Sequence, residues 1–83
     1  MFYVYILIGK HNKKYIGYTN NLKRRMAEHN QKKVYTTRRI DNPKLVYYEA
    51  YSSETKAKLR EQKLKQYGSS YQGLLKRIRI NNI

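Results

Sequence analysis

At 83 residues, with 19 Lys and Arg against 5 Asp and Glu and no cysteine, the sequence carries a formal net charge of +14. That length provides for one hydrophobic core, so residues 1–83 read as a single domain and a second independent one is not expected. The lack of cysteine excludes disulfides and thiolate metal sites and gives no sign of an oxidising compartment, so a cytoplasmic setting is expected.

The opening run Phe2, Tyr3, Val4, Tyr5, Ile6, Leu7, Ile8 is apolar at both parities, as in a central strand covered on both faces. Seven residues are too few to span a bilayer, and no membrane partner is expected. Gly9 to Asn12 supplies turn residues, and Tyr15, Ile16, Gly17 and Tyr18 resume a strand, which makes a β-hairpin. Gly17 inside that strand marks a bulge or a close approach. Asn20 and Asn21 are N-cap residues for a helix over residues 22–31. Residues 32–43 have no clear period and hold Thr36, Thr37, Asp41, Asn42 and Pro43, so they read as an exposed basic loop. A third strand follows over 44–51. Ser52 and Ser53 cap a second helix that runs to about Tyr67 and is stopped by Gly68, and residues 71–79 form a last short helix. The layout is ββα-β-αα, an α+β domain with a small three-stranded antiparallel sheet flanked by helices.

Self-repulsion at +14 is a cost to the fold unless a polyanion is at hand, and nucleic acid is the natural one because each phosphate contact releases condensed counterions. An anionic membrane surface or a merely solvated basic surface is the plainer alternative. The charge is spread along the chain, so Lys14, Lys32, Lys33, Arg38, Arg39, Lys76 and Arg77 are the candidate phosphate contacts. Ten tyrosines serve as core, as polar groups at the edge of a site, or as stacking surfaces for bases.

Helical phase sharpens the chemistry. At about 100° per residue, Leu22 and Met26 define the core side of the first helix, Arg25 and His29 lie four apart beside that stripe, and Arg24 points nearly opposite. A guanidinium at the border of the core can present a rigid fork to a phosphate, and an imidazole beside it can exchange a proton near neutral pH. Equally, Arg25 could bond a carboxylate or a backbone carbonyl while His29 caps the helix end. On the second helix Ala57, Glu61 and Leu64 share a face. A carboxylate there needs a cation, and Mg²⁺ or a basic partner, Arg25 or Arg60, answers that need equally well. Glu28, Asp41, Glu49 and Glu54 read as solvated or capping, and His11 as an exposed turn residue. There is no Gly-rich phosphate loop and no cluster at zinc spacing.

Tyr3-Val4-Tyr5, Tyr15-Ile16-Gly17, the run from Asn21 to Asn30, and Ala57 to Glu61 together make the chain resemble the GIY-YIG nuclease superfamily. It is most similar to the small stand-alone bacterial members, which are like the N-terminal domain of the bacterial excinuclease. The resemblance covers residues 2–67. It implies a divalent-metal-dependent endonuclease with Tyr5, Tyr15, Arg25, His29 and Glu61 as catalytic positions. Glu61 would be the ligand of Mg²⁺ or Mn²⁺, Arg25 would stabilise charge on the transferring phosphoryl group, and Tyr5, Tyr15 and His29 would position and deprotonate water. Tyr3 stands where the family name has glycine. The asparagine found late in several larger family nucleases has no secure equivalent, Asn81 and Asn82 lying at the end of the sequence. The expected function is cleavage of DNA more than RNA, selected by structure or strandedness, in DNA repair or processing. A catalytically weak DNA- or RNA-binding module of the same fold is the second reading, and a domain whose basic face binds an acidic protein is the third.

Overall fold

The structure is a computed structural model and describes residues 1–34 and 39–81. Three strands, β1 (Phe2–Ile8), β2 (Lys14–Thr19) and β3 (Lys44–Tyr51), form one antiparallel sheet in the order β2-β1-β3. The helices are α1 (Leu22–Asn30) between β2 and β3, then α2 (Glu54–Lys65) and α3 (Ser69–Asn81). The expected α+β layout and the central place of the first strand hold.

Local chemistry explains most boundaries. Asn21 Oδ1 accepts from the Arg24 amide at 3.0 Å and opens α1, and Ser53 Oγ accepts from the Lys56 amide at 3.3 Å and opens α2, each meeting a donor that the first turn leaves unpaired. The hairpin turn is a short 3-10 segment, Lys10–Asn12, in which His11 and Asn12 adopt left-handed backbone and stay exposed. One expectation is corrected: α2 ends at Lys65, and the left-handed residue after it is Tyr67 (φ 57°), not Gly68. The Tyr67 ring meets Tyr71 edge to face at 5.0 Å, an aromatic contact that offsets the backbone cost.

The period of two on the central strand divides the molecule. Val4 and Ile6, with Ile16 of β2, pack against Ala57 and Leu64 of α2 and Tyr71, Leu74 and Ile78 of α3. Tyr5, Tyr15 and Gly17 take the other parity and face α1. Here a second expectation is corrected. The buried residue of α1 is His29, while Leu22 and Met26 are only half-buried, because α1 rests on the tyrosines through His29 and turns its apolar pair toward an open groove beside β3. The loop after α1 is also less exposed than its composition suggests, since Val34 is buried. Thr36, Thr37 and Arg38 lie outside the described residues.

Candidate active site

Tyr5 is fully buried on the middle strand, directly across from Gly17. A Cβ on residue 17 would overlap both Cζ and Oη of Tyr5 and stand 2.8 Å from Cε1 of Tyr15. The glycine is therefore a close approach and not a bulge: its missing side chain lets the Tyr5 ring lie across β2. The Tyr5 hydroxyl meets His29 Nε2 at 2.8 Å, and Arg25 Nε donates to the same oxygen at a long 3.4 Å. The Tyr15 ring stands edge-on to His29 at 5.3 Å and tilted to Tyr5 at 6.1 Å. Thus Tyr5, Tyr15, Arg25 and His29, drawn from three elements, form one cluster. Arg25 also pairs with Glu28 at 3.1 Å, so the carboxylate partner and the edge-of-core placement occur together.

The proton arrangement follows from what each group can do. A guanidinium only donates, so Tyr5 Oη accepts from Arg25, while the bond between Tyr5 Oη and His29 Nε2 takes its direction from the imidazole tautomer: with the ring proton on Nδ1, Tyr5 donates to Nε2. Burial pushes the Tyr5 phenol far above its usual range, with the bond from Arg25 pulling the other way. Burial, and then the charge of Arg25, hold His29 below its ordinary value. The folded chain therefore binds fewer protons than the unfolded chain between that lowered value and about 6.5. Stability gained from a neutral His29 is present above about pH 6.5 and is lost as pH falls through the folded value. The urea midpoint is expected to drop as pH falls from about 6.5 through that lowered value, and His29→Gln, which cannot titrate, is expected to flatten that part of the profile.

Glu61 is placed differently. It is half-buried on α2, and its carboxylate pairs with Lys65 at 3.5 Å on its own helix. The basic partners weighed from the sequence are engaged elsewhere: Arg25 with Glu28 and Arg60 with Glu49. No hydrogen bond or ion pair among the described residues joins Glu61 to the Tyr5 cluster, which lies on the opposite face of the sheet from α2. The two sides meet at the outer strand β2. The Tyr18 hydroxyl donates to Glu54 of α2 at 2.8 Å and feels the charge of Glu61. Tyr18 also lines a depression of about 220 Å³ with Thr19, Asn20, Arg24 and Arg25. Arg24, as expected, is exposed, and it donates to Asn20 at 3.1 Å. Among the described residues there is no group of three His, Cys, Asp or Glu that could hold a metal ion. Glu61 alone suits Mg²⁺ only as part of a site that substrate phosphate and water complete, a usual arrangement for that ion.

The sequence matches the family model of the GIY-YIG catalytic domain over residues 1–77. The chain belongs to the GIY-YIG family. Similar to it are UPF0213 proteins of Staphylococcus haemolyticus, 42% identical over 66 residues that cover 78% of this chain and 80% of the relative, and of Clostridium perfringens, 41% identical over 66 residues covering 78% and 71%. Among solved structures, the solution NMR structure of a UPF0213 protein from Bacillus halodurans is similar at 32% identity with a TM-score of 0.56, covering 90% of this chain and 82% of that one.

On this GIY-YIG domain the candidate phosphate contacts are dispersed. Lys32 and Lys33 are exposed in the turn that closes α1, Arg39 is exposed, and Lys76 and Arg77 are exposed on α3. Lys14 and Lys76 come together across a cleft of about 320 Å³ between the hairpin and α3. Arg38 lies outside the described residues. No helix among the described residues is long and apolar enough to cross a membrane.

Sequence reasoning missed a polar network on the face under α2. Glu49, expected to be solvated, accepts from Arg60 Nε at 2.9 Å and Nη2 at 3.0 Å and from the hydroxyls of Tyr47 at 2.5 Å and Tyr51 at 2.6 Å. Its side chain is 15% exposed and that of Arg60 27%. Burial works to raise the Glu49 carboxyl, but the Arg60 fork and the two hydroxyls outweigh it and hold it below the usual carboxylate range. The Tyr47 phenol is pushed up to about 12, by burial and then by Glu49. The GIY-YIG frame thus uses this carboxylate as internal structure. Glu49→Ala leaves a half-buried guanidinium and two hydroxyls without their acceptor, and is expected to cost about 2 kcal/mol, below the full cost of a buried pair because Arg60 keeps some water. Urea unfolding against Arg60→Ala and the double variant measures this.

Proposed function

We propose that the protein is a divalent-metal-dependent endonuclease that hydrolyses phosphodiester bonds in DNA, choosing its substrate by strandedness or structure, with a role in DNA repair or processing in the cytoplasm. The observation that carries this reading is the gathering of Tyr5, Tyr15, Arg25 and His29 at one place in a domain of a nuclease family, with the Arg25 fork at the rim of a depression beside β2. A phosphate lying along the edge of β2 would have Arg25 on one side and Glu61 of α2 on the other.

In this reading Arg25 stabilises the charge that gathers on the nonbridging oxygens. Tyr15 holds the attacking water. As the water oxygen bonds to phosphorus, its proton passes to the half-buried Tyr15 hydroxyl, the Tyr15 proton to the buried Tyr5 Oη and the Tyr5 proton to His29 Nε2, and the bond to the leaving oxygen breaks with solvent supplying its proton. Glu61 would hold the Mg²⁺ or Mn²⁺, which when bound supplies further charge stabilisation to the phosphate. Exposed lysines and arginines supply affinity without reading sequence.

Cleavage of single-stranded, duplex and branched DNA, and of RNA, with and without Mg²⁺ or Mn²⁺, tests the proposal when wild type is compared with Glu61→Gln. The expected result is metal-dependent cleavage that Glu61→Gln lowers by at least about 10²-fold. Equal cleavage by both proteins would remove Glu61 from the mechanism. The engagement of Glu61 with Lys65, apart from the tyrosine cluster, favours one alternative, a nucleic-acid-binding module with little turnover; binding that falls with salt, without cleavage by any preparation, is its signature. Because His29 must be neutral to accept the proton, the single-turnover rate is expected to fall on the acid side as pH drops through the lowered His29 value.

A further inference from the structure

A wide concavity lies outside the tyrosine cluster. It is an open groove of about 610 Å³ between α1 and β3, with Leu22 and Met26 on one wall and Tyr3, Leu45 and Tyr48 on the other. Two of these side chains are unusually exposed for their type, Tyr48 at 53% and Leu45 at 37%. Tyr48 touches Tyr3 edge to face at 6.1 Å, which leaves ring surface open to the groove.

The sheet is shaped to make this wall. Tyr48 pairs with Tyr5 and therefore shares the face of α1, whereas Leu45, three residues away, would in a regular strand point to the other side. An irregularity corrects that. Tyr47 pairs with Ile6 but Leu45 pairs with Leu7, so Val46 is an extra residue. The extra residue returns Leu45 to the side of Tyr48, the re-aiming that bulges often perform near functional sites. Both Val46 and Tyr47 then pack toward the core under α2 and α3.

The surroundings specify the occupant. Lys23 and Asn20 stand at the rim, and Asn20 also lines the depression that holds Arg25. The groove and the candidate phosphate site thus share a wall on a molecule of net charge +14. An apolar, aromatic slot beside a phosphate seat suits a flat ring attached to a phosphodiester backbone, because base–aromatic stacking tolerates any base while cations track the phosphates. A duplex keeps its bases inside and cannot fill such a slot without first being opened.

We propose that this groove seats an unpaired nucleobase of a single-stranded DNA substrate, stacked on Tyr48, one or two nucleotides from the phosphate at Arg25. The assignment rests on the endonuclease reading for its substrate and makes that reading specific for single strands or unpaired ends. In the groove Leu22, Met26 and Leu45 exclude water from the ring, and Lys23 meets the flanking phosphate.

Binding is measured by fluorescence anisotropy in EDTA, so that no strand is cut, with a labelled mixed-sequence single-stranded DNA oligonucleotide and the blunt duplex of the same sequence. Tyr48→Ala is expected to weaken single-strand binding roughly 5- to 150-fold while duplex binding changes by less than about twofold, as expected where phosphate contacts alone act. Tyr48→Phe, which keeps the ring, is expected to bind like wild type. A single abasic nucleotide moved along the strand should weaken wild-type binding at one register and cost nothing further in Tyr48→Ala. Equal losses on both DNAs, no loss on either, or no sensitive register would overturn the proposal. So would sedimentation showing that Tyr48→Ala turns a dimer into a monomer, which would make the groove a contact between copies. If wild type binds neither DNA, the endonuclease reading falls too; if it cuts DNA while Tyr48→Ala binds as wild type does, only the groove assignment falls.

Discussion

Arg25→Ala is expected to slow metal-dependent cleavage by about 10²–10³-fold, the usual scale for removing a preorganised donor from a transition state, while Arg24→Ala slows it by less than about tenfold. The two residues are neighbours in sequence with the same charge, so only placement separates them. Arg25 is half-buried, with Nε toward Tyr5 and Nη1 on Glu28, contacts that hold the fork in one orientation before substrate arrives. Its charge is secure, since the bond to Tyr5 raises its proton affinity further. Arg24 is exposed, has Asn20 as its side-chain partner, and can follow a phosphate but not fix one. Loss of Arg24 should therefore appear as weaker, less salt-dependent binding with an almost unchanged single-turnover rate, and loss of Arg25 as a lower rate at saturating DNA. Arg25→Lys should recover little, because an ammonium cannot present two parallel donors. Equal rate losses at the two positions would mean that the cluster around Tyr5 is not where the phosphate sits.

That contrast was readable from helical period alone, and its success and failure on α1 have one origin. Period fixes which residues share a side, and so separated Arg25 from Arg24; it does not say what the helix packs against. Leu22 and Met26 looked like the core stripe because they are apolar, yet α1 is seated through His29 on two tyrosines and the apolar pair faces the groove. The caps at Asn21 and Ser53 were legible because their partners lie three residues away. Glu49 was not, because its partners come from neighbouring positions on one strand face and from Arg60 eleven residues on, in another element. The extra residue at Val46 exists only as a mismatch between two paired strands. Gly17 was half legible: its strand position allowed two explanations, and only the ring opposite it decides between them.

Gly17→Ala is expected to destabilise the fold by about 3 kcal/mol, the upper end of ordinary overpacking costs, and to abolish cleavage with it. The added methyl would overlap the Tyr5 ring and stand 2.8 Å from that of Tyr15, and neither ring has an easy retreat. Tyr5 is fully buried with its hydroxyl on His29, and Tyr15 stands against the same imidazole. Relief must come from moving Tyr5 off His29 or β2 off β1, and either breaks the arrangement on which the proposed proton path depends. For a chain of this size the loss corresponds to a fall in Tm of roughly 12–24 °C. Gly73 in α3 is the control. A methyl there meets nothing within 4 Å, so Gly73→Ala should instead raise stability by up to about 1 kcal/mol through helix propensity. Tyr5→Leu removes the two nearest atoms that the new methyl strikes and leaves only the edge of Tyr15 against it, so Gly17→Ala should cost less in that background, giving a large coupling between the two positions. Additive losses would mean that the alanine acts through the strand backbone or the Tyr15 ring, and that the path of the Tyr5 ring over Gly17 is not what the glycine serves.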